Sequence, residues 1–335
     1  MSFLMTCDIE VEGFKPFKCH GASWVRKMNN YADSAKVYLP GRALLIKNGD
    51  INNSEILPTG MALGTGKKIQ IKAGYNGNNK LRFKGFIKRI NWTIPVEIEC
   101  EGYSYQLQTK RVNKTYQNVQ LKQILKELVK GTDIKLSPNI PDILVEYVQF
   151  NMCSGVQVLE WFRDKMLQTV YFNFDELYVG LRYLDGFKPN FYTAQAPEVQ
   201  YRLNWNVIKD NDLVFDVDRE MAIVNIQLDQ PLKTGGYKRV LPPKPGNVKK
   251  LKLYGLPIQG KYAQQIRNDK QKENNNKGYT GRITAFLEPM ADLNIVAVIS
   301  DPKYEQRTGR YVIEGIEGTF SHAGGRQKLD IGINL

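Results

Sequence analysis

Residue types that could do chemistry are thin in this chain. Only two histidines occur, His20 and His322. Four cysteines stand at 7, 19, 100 and 153, with no Cys-x-x-Cys and no framework spacing, so they read as isolated reduced thiols. Cys19 and His20 are adjacent, and neighbours along a strand point to opposite faces, so they do not converge on one ion. A structural zinc needs about four ligands, and no cluster of that size is present in the sequence. Glu97, Glu99 and Glu101 share one strand face at two-residue spacing. Acid catalysis instead sets carboxylates from different elements about 5 to 9.5 Å apart across a bond. Three along one strand read as a solvated face. Gly64-Thr65-Gly66-Lys67 has the flavour of a phosphate loop but lacks the G-x-x-x-x-G-K-S/T spacing and the helix that should follow, so it reads as a β connection. The sequence has no nucleophile elbow, dinucleotide fingerprint or H-E-x-x-H motif. The expectation is a protein that is not an enzyme, with no catalytic, cofactor-binding or metal-binding residues and no cofactor.

What remains is binding or structural work, and composition narrows it. The 335 residues are 42% hydrophobic and 24% charged, enough apolar side chain for a sizeable core. The length fits two or three domains of about 150 residues. No stretch approaches the roughly 18 apolar residues of a membrane span. The opening MSFLMTCDIEVEGF lacks the basic and apolar blocks of a secretory signal, so no membrane anchor is expected. The formal net charge is +13. Residues 231–282 hold 13 Lys/Arg against two acids, Asp269 and Glu273, a local +11. That segment also holds Gly235-Gly236, Pro242-Pro243-Lys244-Pro245-Gly246 and Asn274-Asn275-Asn276, which is turn chemistry rather than that of a packed helix. It reads as a basic loop excursion that solvent, an acidic protein or nucleic acid could face. Its aromatics (Tyr237, Tyr254, Tyr262, Tyr279) are not spaced like a base-stacking platform, so no specific nucleic-acid site is expected.

The elements are mostly strands. Phe3, Met5, Cys7, Ile9 and Val11 alternate with Leu4, Thr6, Asp8 and Glu10. Val37 and Leu39 start a second short strand. Ile69, Ile71 and Ala73 alternate up to Asn76-Gly77, a strong hairpin signal because both turn residues take positive φ. Leu81 and Phe83 resume, Gly85 breaks the phase as a bulge or bend would, and Val96, Ile98 and Cys100 alternate again. The middle changes period. Leu121, Ile124, Leu125, Leu128 and Val129 have helical spacing, with Asn118 as a candidate cap and Gly131 as a stop. Ser154 and Gln157 form a capping box ahead of Leu159, Phe162 and Met166. Residues 170–174 and 177–181 read as a hairpin turning at Asp175-Glu176. Strands return after Val199, with candidates at 213–218, 222–228, 282–287, 295–299, 311–316 and 328–333.

Residues 67–102 and 293–334 share a layout: alternating strand, polar turn, strand with an internal glycine (Gly85; Gly315), bend, final alternating strand. The reading is mainly β with an α+β insertion. Two similar antiparallel tube-type β-barrels, at 1–105 and 196–335, flank a small helical α/β module at 106–195, and the basic excursion at about 231–282 belongs to the second barrel.

Three stretches carry a resemblance to a known family. They are ASWVRKMNNYADSAKVYLPG (22–41), GTGKKIQIKAGYNGNNKLRFKGFIKRINWTIPVEIECEGYSYQLQTK (64–110) and TGRITAFLEPMADLNIVAVISDPKYEQRTGRYVIEGIEGTFSHAGGRQKLDIGI (280–333). Together they resemble the baseplate hub proteins of contractile-tailed phages, the late-control protein D type, and their relatives in contractile injection systems. The motifs are β pattern rather than catalytic signature. The resemblance implies a homotrimer whose three subunits form a ring of six barrels. That ring adapts a three-fold spike to a six-fold tail tube in a virion tail or injection particle assembled in a bacterial cytoplasm. The implied partners are further copies of itself, the tail tube protein, a separate central spike protein and other baseplate proteins. The alternatives are a nucleic-acid-binding β-barrel protein, favoured by a pI of about 9.4, and a glycan-active or glycan-binding tail protein. Trp24, Trp92, Trp161 and Trp205 are too dispersed to favour the latter.

Overall fold

The computed structural model describes residues 4–45, 55–182, 198–215, 224–231, 234–241, 247–252, 260–274, 278–305 and 308–335. Phe3, residues 216–218 and 222–223 of two expected strands, the 195/196 module boundary, Pro242–Gly246, Tyr254 and Asn275-Asn276 lie outside the described residues.

Alternation builds the sheet as expected. Cys7, Ile9 and Val11 of strand Met5–Val11 are buried, as are Ile69, Ile71 and Ala73 of strand Lys68–Tyr75. These two strands pair antiparallel from Met5↔Tyr75 to Val11↔Ile69, so their buried residues face one another. Asn76 and Gly77 take φ of 54° and 80° at the hairpin to strand Asn78–Asn91. Strand Val96–Glu101 follows and pairs with strand Asn30–Leu39, which pairs with strand Gly21–Lys27. The C-terminal half runs in the order Gly309–Ser321, Gly324–Asn334, Tyr279–Phe286 and Val207–Phe215.

The fold is mainly β, with antiparallel sheets and an α+β insertion. The two β halves are not merely neighbours. Strand Gly309–Ser321 pairs with Val296–Ser300 through residues 309–312 and with Gly21–Lys27 through residues 315–320. Register shifts relative to the following strand fall where these two stretches meet, around Ile313 and Gly315, the position of the internal glycine noted in the sequence. One thirteen-stranded sheet therefore runs through both halves among the described residues. At the seam Gly318 lies opposite Trp24, and a Cβ at 318 would sit 2.0 Å from the Trp24 indole. Only glycine leaves room for that buried ring.

Burial falls into two cores. One collects Cys7, Ile9, Trp24, Val37, Ile69, Ile71, Phe83, Ile98 and other N-terminal residues, with a single distant member, Leu287. The other is shared. It joins the middle module (Leu125, Leu159, Phe162, Phe172) to C-terminal strands (Ile283, Val296, Val312, Leu329). The module holds helices Leu121–Val129 and Gly155–Asp164, the paired strands Arg111–Gln120 and Leu144–Ser154, and a three-stranded sheet containing hairpin 169–180. Ser154 accepts from the Gln157 backbone N–H while its own N–H donates to Gln157, the expected capping box. Asn118 is not a cap. Pairing of Val119 with Val145 keeps the chain extended to Gln120, and the helix begins at Leu121 without a side-chain cap.

The basic segment also departs from expectation. It is not a loop excursion: strands Tyr237–Leu241 and Asn247–Lys252 flank strand Val224–Pro231, and residues Gly260–Asn274 form a helix. Tyr262 and Ile266 bury in the shared core, and the Tyr262 hydroxyl donates to Gln168 Oε1 at 2.6 Å. Basic residues with few apolar ones hid this helix, because Tyr262 and Ile266 are its only large apolar side chains and Arg267 and Asp269 are buried with them.

Candidate assembly surfaces

Lys67 donates to the Ala62 carbonyl at 3.2 Å and lies over the Phe14 ring, and strand Lys68–Tyr75 follows. Gly64–Lys67 thus joins the short helix Thr59–Leu63 to that strand, rather than joining two strands as the sequence implied. Glu97 and Glu99 lie on the wet face. Lys36 beside Glu97 and Arg89 beside Glu99 hold both carboxyls below their ordinary range. Glu101 departs from the solvated row: it is buried and accepts from Ser104, Gln108 and Lys88. His20 and His322 lie 6.4 Å apart between ring centroids. Among the described residues no group of three or more His, Cys, Asp or Glu could hold a metal ion. No described helix is long and apolar enough to cross a membrane.

What the sequence did not reveal is a buried ionic junction where three regions meet. Arg26, 2% exposed, comes from strand Gly21–Lys27. Its guanidinium contacts Asp292 at 2.9 Å, donates to Asn173 at 2.6 Å, stacks on the Phe174 ring at 4.0 Å and lies 3.7 Å from Asp33. Burial pushes the Asp33 carboxyl up to about 7; Arg26 opposes that rise and Asp292 adds to it. A second tie is Arg82. A register shift between Ile71 and Lys72 leaves it as the extra residue of its strand and aims it inward. It donates to the Ala73 and Leu287 carbonyls at 3.0 and 2.9 Å and to Glu288 at 2.8 Å. A third is Arg182, paired with Glu273 of the basic helix and Glu314 of the seam strand. No periodicity marks these arginines, because their partners are remote in sequence.

Three outward surfaces stand out. The wet face of the continuous sheet carries cross-strand ion pairs: Lys36–Glu97 at 3.1 Å, Arg89–Glu99 at 2.7 Å, Lys27–Glu317 at 3.0 Å and Arg282–Asp330 at 2.6 Å. Exposed pairs add little stability, but here they match cations to carboxylates. At one hairpin tip Trp92 and Ile94 are 64% and 97% exposed. Gly60 of the short helix Thr59–Leu63 packs against that indole, which brings the exposed Met61 to the same corner. A second apolar corner holds Trp205, Ile208 and Phe286, with Arg202 over Trp205 and Arg326 over Phe286. It adjoins strand Val207–Phe215, which among the described residues pairs with strand Tyr279–Phe286 and otherwise makes a single bridge, Val207 to Leu203. A nine-residue edge strand with exposed Ile208 and Val214 invites another chain. Contiguous exposed apolar groups rimmed by polar ones mark interaction sites.

Solved structures place this geometry in a class. A Neisseria meningitidis tail protein superposes with a TM-score of 0.66 at 10% identity, over 98% of this chain and 96% of its own. A prophage tail protein from Shewanella oneidensis gives 0.61 at 12% identity, over 97% and 96%. An Escherichia coli component of the type VI secretion system, described as structurally similar to bacteriophage tail proteins, gives 0.59 at 11% identity, over 97% and 76%. The chain thus has the fold of phage tail proteins along nearly its whole length. A family model described as the Alg8 N-terminal domain matches residues 33–153, about a third of the chain, running from the N-terminal sheet into the middle module. No curated protein matches the sequence.

Proposed function

We propose that this chain is the structural baseplate hub of a contractile-tailed phage or a phage-like injection system. It acts as a homotrimeric ring between a three-fold spike and a six-fold tail tube. The observation that carries the reading is the single sheet through both β halves, ending in an edge strand beside an apolar corner. Three such subunits, each supplying two β halves, close a ring of six and cover those edges. The end-to-end likeness to tail proteins supports it. The tail tube protein, a separate spike protein and other baseplate proteins are its partners, and the tail or injection particle is its place. The charge-matched sheet face suits a channel wall better than a phosphate-binding surface does, since unmatched cations would hold passing DNA.

Absolute mass by light scattering over a range of concentrations tests this. The expected mass is three times the 38.4 kDa of one chain. A mass fixed at one chain, combined with strongly salt-dependent DNA binding, would replace this reading with the nucleic-acid-binding one.

A further inference from the structure

The cysteines are not all isolated. Strand Met5–Val11 pairs with the short strand Phe17–Lys18 in the register Asp8↔Lys18 and Ile9↔Phe17. The next position of that antiparallel ladder sets Cys7 opposite Cys19. Cys7 is buried in the N-terminal core, Cys19 is half-buried against it, and both thiols are free. The two are hydrogen-bonded to each other. Directly opposed residues in an antiparallel pair have Cα atoms about 4.5–5.5 Å apart, inside the roughly 4.4–6.8 Å that a disulfide spans. The other two cysteines have no such neighbour: Cys100 is buried on strand Val96–Glu101, and Cys153 lies on a strand of the middle module.

We propose that Cys7 and Cys19 are a cross-strand redox pair that closes to a disulfide on meeting a peroxide or a disulfide oxidant, stapling the 8–18 connection to the first strand. The polarity of the pair follows from its surroundings. Donation to Cys19, then burial, hold the Cys7 thiol well above its ordinary range, while the same hydrogen bond holds Cys19 below it. Cys19, the more exposed of the two, is therefore the sulfur that ionises more readily and attacks first. With hydrogen peroxide, the ionised Cys19 sulfur attacks one peroxide oxygen, breaks the O–O bond and becomes a sulfenic acid, and the hydroxide released takes up the proton that the Cys19 thiol gave up and leaves as water. Cys7 sulfur then attacks the Cys19 sulfur. The S–S bond forms, the S–O bond breaks, and the Cys7 proton leaves with the hydroxide as a second water. Two thiols lose two electrons to one peroxide.

Timing rests on the hub reading: a particle assembled in a reducing cytoplasm keeps both thiols, and one released by lysis meets oxidant. The staple would then stiffen the sheet edge after assembly.

The test uses the full-length protein, reduced and then exposed to hydrogen peroxide or diamide, with thiols counted after denaturation and peptides mapped by mass spectrometry. The expected result is a fall from four thiols to two, a peptide pair linked through Cys7 and Cys19, and a melting temperature a few degrees above that of the reduced protein. Cys19→Ser should keep three thiols under the same oxidant. Cys7→Ala is the second variant and should leave Cys19 as a trappable sulfenic acid. Retention of all four thiols in the folded protein, or a linkage through Cys100, Cys153 or a second chain, would overturn the pair. The thiol count is independent of oligomeric state. A monomer that still forms the Cys7–Cys19 bond removes the hub reading alone, and a trimer that does not removes the redox pair alone.

Discussion

The two β halves share a strand layout but not a way of being stable. Among the described residues the N-terminal half fills its own core and borrows buried Leu287 and half-buried Phe320 from the C-terminal half. The C-terminal half has no separate core: Ile283, Val296, Val312 and Leu329 pack with the helices and hairpin of the middle module and with Tyr262 and Ile266 of the basic helix. Similar alternation therefore specifies similar strands and leaves open what covers them. The halves are then held in one frame by the seam between Gly21–Lys27 and Gly309–Ser321 and by the arginines that bridge them.

The sharpest way to break this arrangement is Arg26→Ala. It strands Asp33 and Asp292 without their cation, and removing one partner of a buried pair costs about 3–5 kcal/mol. Urea unfolding should show that loss, with the first β half and the module separating into two transitions. Leu287→Ala should cost about 2–4 kcal/mol. The comparison predicts where: near-complete loss of protection in the N-terminal core by hydrogen exchange, although the residue lies in the C-terminal part of the chain.

The junction should also make stability depend on pH. Asp33 has a folded pKa of about 7 against an ordinary 3.8, so between those values the folded state holds more protons than the unfolded one. Its contribution is then present below about pH 4 and is lost as pH rises toward 7, on the order of a few kcal/mol. Denaturation midpoints of Asp33→Asn should lack that decline; an equal decline in the variant would show that another group is responsible. Gly318→Ala, which forces a methyl into the Trp24 ring, should cost about 1–3 kcal/mol and red-shift Trp24 emission as the seam opens. Smallest is Ser154→Ala, about 1 kcal/mol through the lost capping box, felt in the module and the C-terminal half together because they share a core.

Legibility followed range in sequence. The Asn76-Gly77 turn, the alternating strands and the Ser154–Gln157 box were readable because each is fixed by neighbours within a few residues. Asn118 misled because a ladder partner at Val145 outweighed a local cap preference. The basic helix Gly260–Asn274 was missed because tertiary burial of Tyr262 and Ile266, not a continuous apolar stripe, holds it in place. Cys7 and Cys19 looked unrelated because the turn at 12–16 obscures that they share a rung.

The sequence by itself determined the mainly β character, the helical insertion and the sparseness of reactive groups, since period and composition are local properties. Only the tertiary structure decided that the two halves form one sheet, that the second half leans on the module for its core, and that Arg26, Arg82 and Arg182 lock the regions together. Strand pairing, burial and ion pairing between remote segments depend on which surfaces meet, and no local pattern encodes the meeting.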